Sequence, residues 1–125
     1  MNALTRDLVN LVNTAEENQT AKEQTSGTQF REKLHLMPPV GWLNDPNGLC
    51  QMDVFHAFFQ YSPFNAEGGV KMWGHYTSTN LIDWEYKGVS LYPDQPFDCH
   101  GVYSGSAFLE DGTMYLYYTG NVKLE

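Results

Sequence analysis

Apolar residues recur at three- and four-residue spacing at the start of the chain: Leu4, Leu8, Leu11, Val12 and Ala15. That spacing gathers them into one stripe and predicts a helix over residues 4–24. Asn13, Glu16, Glu17, Asn18 and Lys22 fall on its polar side. A helix with one apolar stripe is expected to pack against the outside of a domain. Residues 25–30 read as a short linker. The helix and linker are assigned to residues 1–29, and the folded domain to residues 30–125.

Beyond Gly48 the pattern changes to that of strands. Leu49–Met52 is a short strand, and Asp53 marks a tight reversal. Val54–Tyr61 is a longer, mostly aromatic and apolar strand. A loop with Pro63 and the pair Gly68-Gly69 follows. Trp73–Thr79 and Trp84–Val89 then read as strands joined by a turn at residues 80–83. Four short strands in an antiparallel meander make a sheet the size of one propeller blade. Val102–Leu109 and Thr113–Thr119 form a further hairpin about the turn Glu110-Asp111-Gly112.

This second hairpin echoes the first. Phe55–Tyr61 aligns with Met114–Gly120 at an offset of 59 residues. A strand-built repeat near ~50 residues is the mark of a β-propeller. The fold expected is therefore all-β: the first one and a half to two blades of a propeller, behind an N-terminal α-helix. Because a propeller needs at least ~4 blades to close, the chain reads as part of something longer. An isolated piece of this kind, with an open sheet edge, is expected to associate with other chains.

Between helix and strands lies Trp42-Leu43-Asn44-Asp45-Pro46-Asn47-Gly48, led in by an apolar, Pro-rich run from His35 to Gly41. Pro46 biases Asp45 towards an extended backbone, and Asn47-Gly48 signals a turn. The expectation is a turn that holds the Asp45 carboxylate at the mouth of a strand beginning at Leu49.

Composition sharpens the picture in three ways. Aromatic residues make up 14% of the chain, which suits strands and surfaces on which sugars stack. Fifteen acidic residues against seven basic give a net charge of −8, which argues against a nucleic-acid or anionic-membrane partner. No apolar run approaches the ~20 residues of a membrane-spanning helix. The N-terminus lacks the basic start and apolar core of a signal peptide, so a cytoplasmic location is expected. Cys50 and Cys99 are then expected as free thiols. His35, His56, His75 and His100 show no metal-ligand spacing, and no cofactor is expected.

Several residues suit a sugar site. Asp45 sits beside a Trp and two amides, and Gln60 ends an aromatic strand. Trp73 follows a Gly-rich loop, which leaves room for an exposed ring although such a Trp is more often core, and Tyr103-Ser104 adds an aromatic and a hydroxyl. Polar groups of this kind gather in concave pockets.

The same segments carry a resemblance. His35–Gly48 resembles the first signature of glycoside hydrolase family 32, the β-fructofuranosidases. Phe58–Pro63, Trp73-Gly74-His75 with Ser78, Leu81 and Trp84, Tyr103–Ala107 and Tyr117–Asn121 resemble its later blocks in the same order. The resemblance runs from about Phe30 onward, and the N-terminal helix is similar to that of the bacterial sucrose-6-phosphate hydrolase branch. It implies a five-bladed propeller whose funnel holds the sugar, and retaining hydrolysis of a terminal β-D-fructofuranoside, whether sucrose, sucrose 6-phosphate or a fructan. Asp45 matches the nucleophile. Trp42, Leu43, Asn44, Gln60, Trp73, Tyr103 and Ser104 fall at substrate-binding positions.

Neither the Arg-Asp-Pro motif of the family's transition-state stabiliser nor the Glu-Cys motif of its acid/base occurs in these 125 residues. Asp83, Glu85, Asp94, Asp98, Glu110 and Asp111 match no catalytic position and read as turn and surface charges. The chain alone is therefore expected to be inactive. A non-catalytic carbohydrate-binding module, or part of a fructosyltransferase, is the alternative.

Overall fold

The computed structural model describes residues 1–27 and 31–124. Helix α1 (Ala3–Ser26) precedes six strands: β1 (Trp42–Met52), β2 (Val54–Ser62), β3 (Met72–Ser78), β4 (Glu85–Leu91), β5 (Val102–Glu110) and β6 (Thr113–Gly120). The expected linker begins later than its composition suggests, because Thr25 and Ser26 are still helical. Its last residues, 28–30, lie outside the described residues.

The α1 N-terminus is capped by Asn2, whose side-chain oxygen accepts from the Thr5 N–H at 2.7 Å. The buried stripe differs from the one read off hydrophobicity. Leu4 and Leu11 are more than half exposed, whereas Val12 is buried. Thr5, Leu8, Val12, Ala15, Glu16 and Gln19 form the inward face. Polar members hold that face by hydrogen bonds. Thr5 donates to Asp94, Gln19 donates to the Pro63 carbonyl, and one Glu16 carboxylate oxygen accepts from Tyr61 at 2.9 Å and Tyr86 at 2.7 Å. Buried phenols need such a partner. Burial pushes both phenols' pKa values well up, and Glu16 beside them adds to the shift.

β1–β4 form an antiparallel meander in sequence order. β1 begins at Trp42 and not at Leu49, so the segment expected as a turn is strand. The reason is its place at the sheet edge, where a proline costs no ladder hydrogen bond. Register shifts between Leu43 and Pro46, and again between Asn47 and Cys50, absorb the irregular residues as bulges. Gly48 has φ +54, and a Cβ there would lie 2.8 Å from the Phe58 ring. Asp53, with φ +63, makes the expected reversal between Met52 and Val54.

Side chains alternate between the two faces of a strand, and here both faces meet a core. Phe59 and Tyr61 of β2, with Met72 and Tyr76 of β3, pack towards Val12 of α1. Phe58 of β2 and Trp73 of β3 point the other way, onto Val102, Met114, Leu116 and Tyr118 of the β5–β6 hairpin. Trp73 is therefore fully buried, and of the two readings open to it the core one holds. The Gly-rich loop before it does not expose it, because β5 covers it.

The hairpin repeats the first strand pair in register. Leu43 pairs with Tyr61 as Val102 pairs with Gly120, and Asn47 pairs with Phe58 as Ser106 pairs with Tyr117. Each inner strand bulges at the same place, between Leu43 and Pro46 and between Tyr103 and Gly105. Asp111 and Gly112, both with positive φ, close the turn. The meander is one complete propeller blade, and the hairpin is the inner half of the next.

Candidate active site

The two bulges face each other. Asp45 lies in the β1 bulge and Ser104 in the β5 bulge, 59 residues apart, and Ser104 Oγ donates to Asp45 Oδ2 at 3.1 Å. Bulges re-aim side chains beside functional sites, and these two turn their polar groups onto one shared rim. Pro46 holds Asp45 extended. Both side chains are exposed there.

Beneath the rim the strands are clipped together. Asn47 is buried, its amide donates to the Asp45 carbonyl at 3.3 Å, and its Oδ1 accepts from the Gly105 N–H at 3.3 Å. Gly105 is required by a close approach, since a Cβ there would stand 1.8 Å from the Tyr117 carbonyl oxygen. Sequence reasoning passed over Asn47 as a turn residue. Its signal was the second amide in Asn44-Asp45-Pro46-Asn47.

Gln60 and Trp73 do not present their polar atoms on the rim. The Gln60 amide donates to the Val102 carbonyl at 3.0 Å, and the Trp73 indole donates to the Tyr103 carbonyl at 3.1 Å. Val102 and Tyr103 are the two residues before Ser104, so these buried side chains of the first blade fix the backbone that delivers its hydroxyl. Tyr103 itself is partly exposed. Trp42 is half-buried, and its indole donates to Asn44 Oδ1 at 2.7 Å, orienting the amide next to Asp45. Leu43 packs on the first core cluster. The structure thus brings Asp45 and Ser104 into contact, sets the Trp42–Asn44 pair beside them, and puts Gln60, Trp73 and Leu43 below.

Asp98, expected as a surface charge, is fully buried. Its carboxylate accepts from the Gln95 N–H and from the Tyr118 hydroxyl, each at 2.8 Å. Those donors are what make its burial tolerable. Burial and the bond to Asp98 push the Tyr118 phenol up to about 12. No sequence pattern marks this role, because Tyr118 arrives from the far side of the hairpin.

His56 Nδ1 and His75 Nε2 lie 2.9 Å apart, and the His75 ring stacks on Phe58. Burial and the neighbouring His56 push His75 down to about 4. Among the described residues no group of three or more metal-ligating side chains forms. Cys50 and Cys99 are free thiols. No described helix is long and apolar enough to cross a membrane.

The model of the glycosyl hydrolases family 32 N-terminal domain matches residues 35–125. The sucrose-6-phosphate hydrolase of Bacillus subtilis is 48% identical over 94 residues, covering 74% of this chain and 20% of that protein. A raffinose invertase of Escherichia coli is 44% identical over 111 residues, covering 86% of this chain and 23% of that one. Among solved structures, a sucrose-6-phosphate hydrolase from Lactobacillus gasseri superposes with a TM-score of 0.78 at 38% identity, over 86% of this chain and 22% of that one. The Bombyx mori β-fructofuranosidase BmSUC1 gives 0.76 at 36% identity, over 88% of this chain and 23% of that one. The chain spans about a fifth of the length of the curated relatives it matches. On the match over most of its length, the chain belongs to glycoside hydrolase family 32.

Proposed function

We propose that this chain supplies the nucleophile side of a β-fructofuranosidase site, in a protein that hydrolyses terminal non-reducing β-D-fructofuranosides such as sucrose or sucrose 6-phosphate with retention. Asp45 attacks the anomeric C2 of the fructosyl unit, the C2–O bond breaks as the leaving oxygen takes a proton from an acid/base carboxyl outside these residues, and a covalent fructosyl-enzyme forms. Water then attacks C2, gives its proton to that same carboxylate, and frees Asp45. The observation that carries this reading is the Ser104–Asp45 hydrogen bond at the meeting of two bulged inner strands. A hydroxyl donating to one oxygen holds the carboxylate in one orientation, which suits a group that must meet a single carbon. Asn44, held by Trp42, supplies an amide beside it for the sugar hydroxyls. Tyr103 offers a partly exposed aromatic face for stacking, and Gln60 and Trp73 contribute by fixing residues 102 and 103.

The second carboxyl group of a retaining pair belongs ~5–5.5 Å from the nucleophile. The motifs that would provide it and the stabiliser are absent from these 125 residues. The purified 125-residue chain is therefore expected to be inactive on sucrose. General acid–base help alone is worth ~10²–10⁴-fold. A cytoplasmic location belongs to the same reading.

The test uses the longest polypeptide the gene encodes. Wild type is expected to release fructose from sucrose or sucrose 6-phosphate and to accumulate a fructosyl adduct on the peptide containing Asp45 under rapid quench. Asp45→Asn should lower kcat by at least about 10⁴-fold with folding intact. An Asp45→Asn protein with near wild-type turnover would sink the assignment.

A further inference from the structure

One cation is built into the seam between the strands that carry Asp45 and Ser104. Lys71 precedes β3, and its ammonium lies over the Trp42 ring, 5.0 Å from the centroid. Its backbone is fastened to β5, where the Lys71 carbonyl accepts from the Val102 N–H at 2.8 Å. A Cβ on Gly101 would meet the Lys71 backbone nitrogen at 3.4 Å, so the two segments lie in contact. A Cβ on Gly68, which has φ +99, would lie 2.9 Å from Nζ, so that loop passes beside the ammonium. Trp42 in turn holds Asn44, the neighbour of Asp45. Lys71 is thus tied to both sides of the site, through Trp42 on β1 and through Val102 on β5.

The ammonium has no carboxylate within ion-pair distance among the described residues, whereas Lys87 pairs with Glu85 and Arg6 with Asp7. Burial pulls its pKa down, a sign of a cation short of solvation. A half-buried cation lying on an indole, in a chain of net charge −8, puts a positive charge beside the Trp42–Asn44 pair.

We infer that Lys71, seated on Trp42 beside Asn44 and Asp45, is a specificity-determining residue that receives a phosphate ester on the leaving sugar of the disaccharide. The inference rests on the reading of Asp45 as nucleophile, which puts the scissile bond next to the Trp42–Asn44 pair on which Lys71 sits. A Lys–phosphate contact is a charge-assisted hydrogen bond. It forms equally in the bound substrate and the transition state, so it acts on KM more than on kcat.

The experiment compares wild type, Lys71→Met and Lys71→Arg in the longest gene product, with sucrose 6-phosphate and with sucrose. For Lys71→Met the KM for sucrose 6-phosphate should rise about ten- to a hundred-fold. Its kcat, and both constants for sucrose, should stay within about two-fold. Lys71→Arg should keep a large part of the preference. Glucose 6-phosphate should compete more strongly than inorganic phosphate, and Lys71→Met should lose that difference. Equal changes on both substrates, or none, overturn the role of Lys71 and leave the nucleophile assignment standing. Equal competition by inorganic phosphate overturns the sugar-phosphate specificity. A wild-type protein that cleaves neither sugar overturns both readings.

Discussion

β2 and β6 hold the same place in successive repeats, with the same pairing register and the same bulge on the inner strand beside them. Yet β2 is buried from Ala57 to Ser62, while β6 alternates along its length, with Tyr115 and Tyr117 44% and 60% exposed. The difference lies in what covers each sheet. The first blade has α1 on one face and the β5–β6 hairpin on the other. The hairpin has the first blade on one face only. Strand pairing is therefore a local property that the repeat carries with it, and burial is a property of neighbours. The site depends on both, since the bulges come with the repeat and their meeting comes from the packing of one blade on the next.

The strongest way to break this comparison is to remove the side chain the two regions share. Trp73→Ala should cost about 3–5 kcal/mol and lower amide protection in both sheets together. Loss confined to one of them in hydrogen exchange would show that the regions are not coupled through it. Trp73→Phe, which keeps part of the packing and deletes the bond to the Tyr103 carbonyl, should cost less.

Gly105→Ala strikes the bulge alone. Its Cβ meets the Tyr117 backbone, and a backbone obstacle does not swing aside. The expected cost is about 1–3 kcal/mol, read in denaturant melts, with lost protection concentrated in β5 and β6. Equal loss in β2 and β3 would contradict that. Tyr118→Phe should cost about 1 kcal/mol by leaving the buried Asp98 one donor short. Nearly neutral behaviour would mean that water replaces the hydroxyl.

The last effect is one of pH. His75, facing His56 and with Lys87 nearby, titrates near 4 in the folded state against an ordinary value of 6.5. The unfolded chain therefore binds the extra proton first. Stability from the neutral ring is complete above about pH 6.5 and is lost as pH falls towards about 4. His75→Gln should flatten that slope, and an unchanged slope would assign it to other groups.

Much of this was legible beforehand, for identifiable reasons. The helix, the Asp53 reversal, the Asp111-Gly112 turn and the 59-residue repeat rest on short-range chemistry. The start of β1 was misread because Pro46 and Asn47-Gly48 are turn signals in isolation, and only an edge position lets bulged strand accommodate them. Leu4 and Leu11 were placed inward because hydropathy does not count the hydrogen bonds that turn Glu16 and Gln19 to the sheet instead. Trp73 was left open and Asp98 was misjudged because each is buried by residues far along the chain, Val102 in one case and Tyr118 in the other.

By itself the sequence determined the order of the strands, the tight turns at Asp53 and Asp111-Gly112 and the motif that marks the family, since these depend on residues close together along the chain. The tertiary structure decided which carboxylates are buried, which aromatic rings lie within the core, and that Asp45 meets Ser104 across 59 residues of chain. Those outcomes depend on how one blade packs on the next, and no local pattern encodes such a contact.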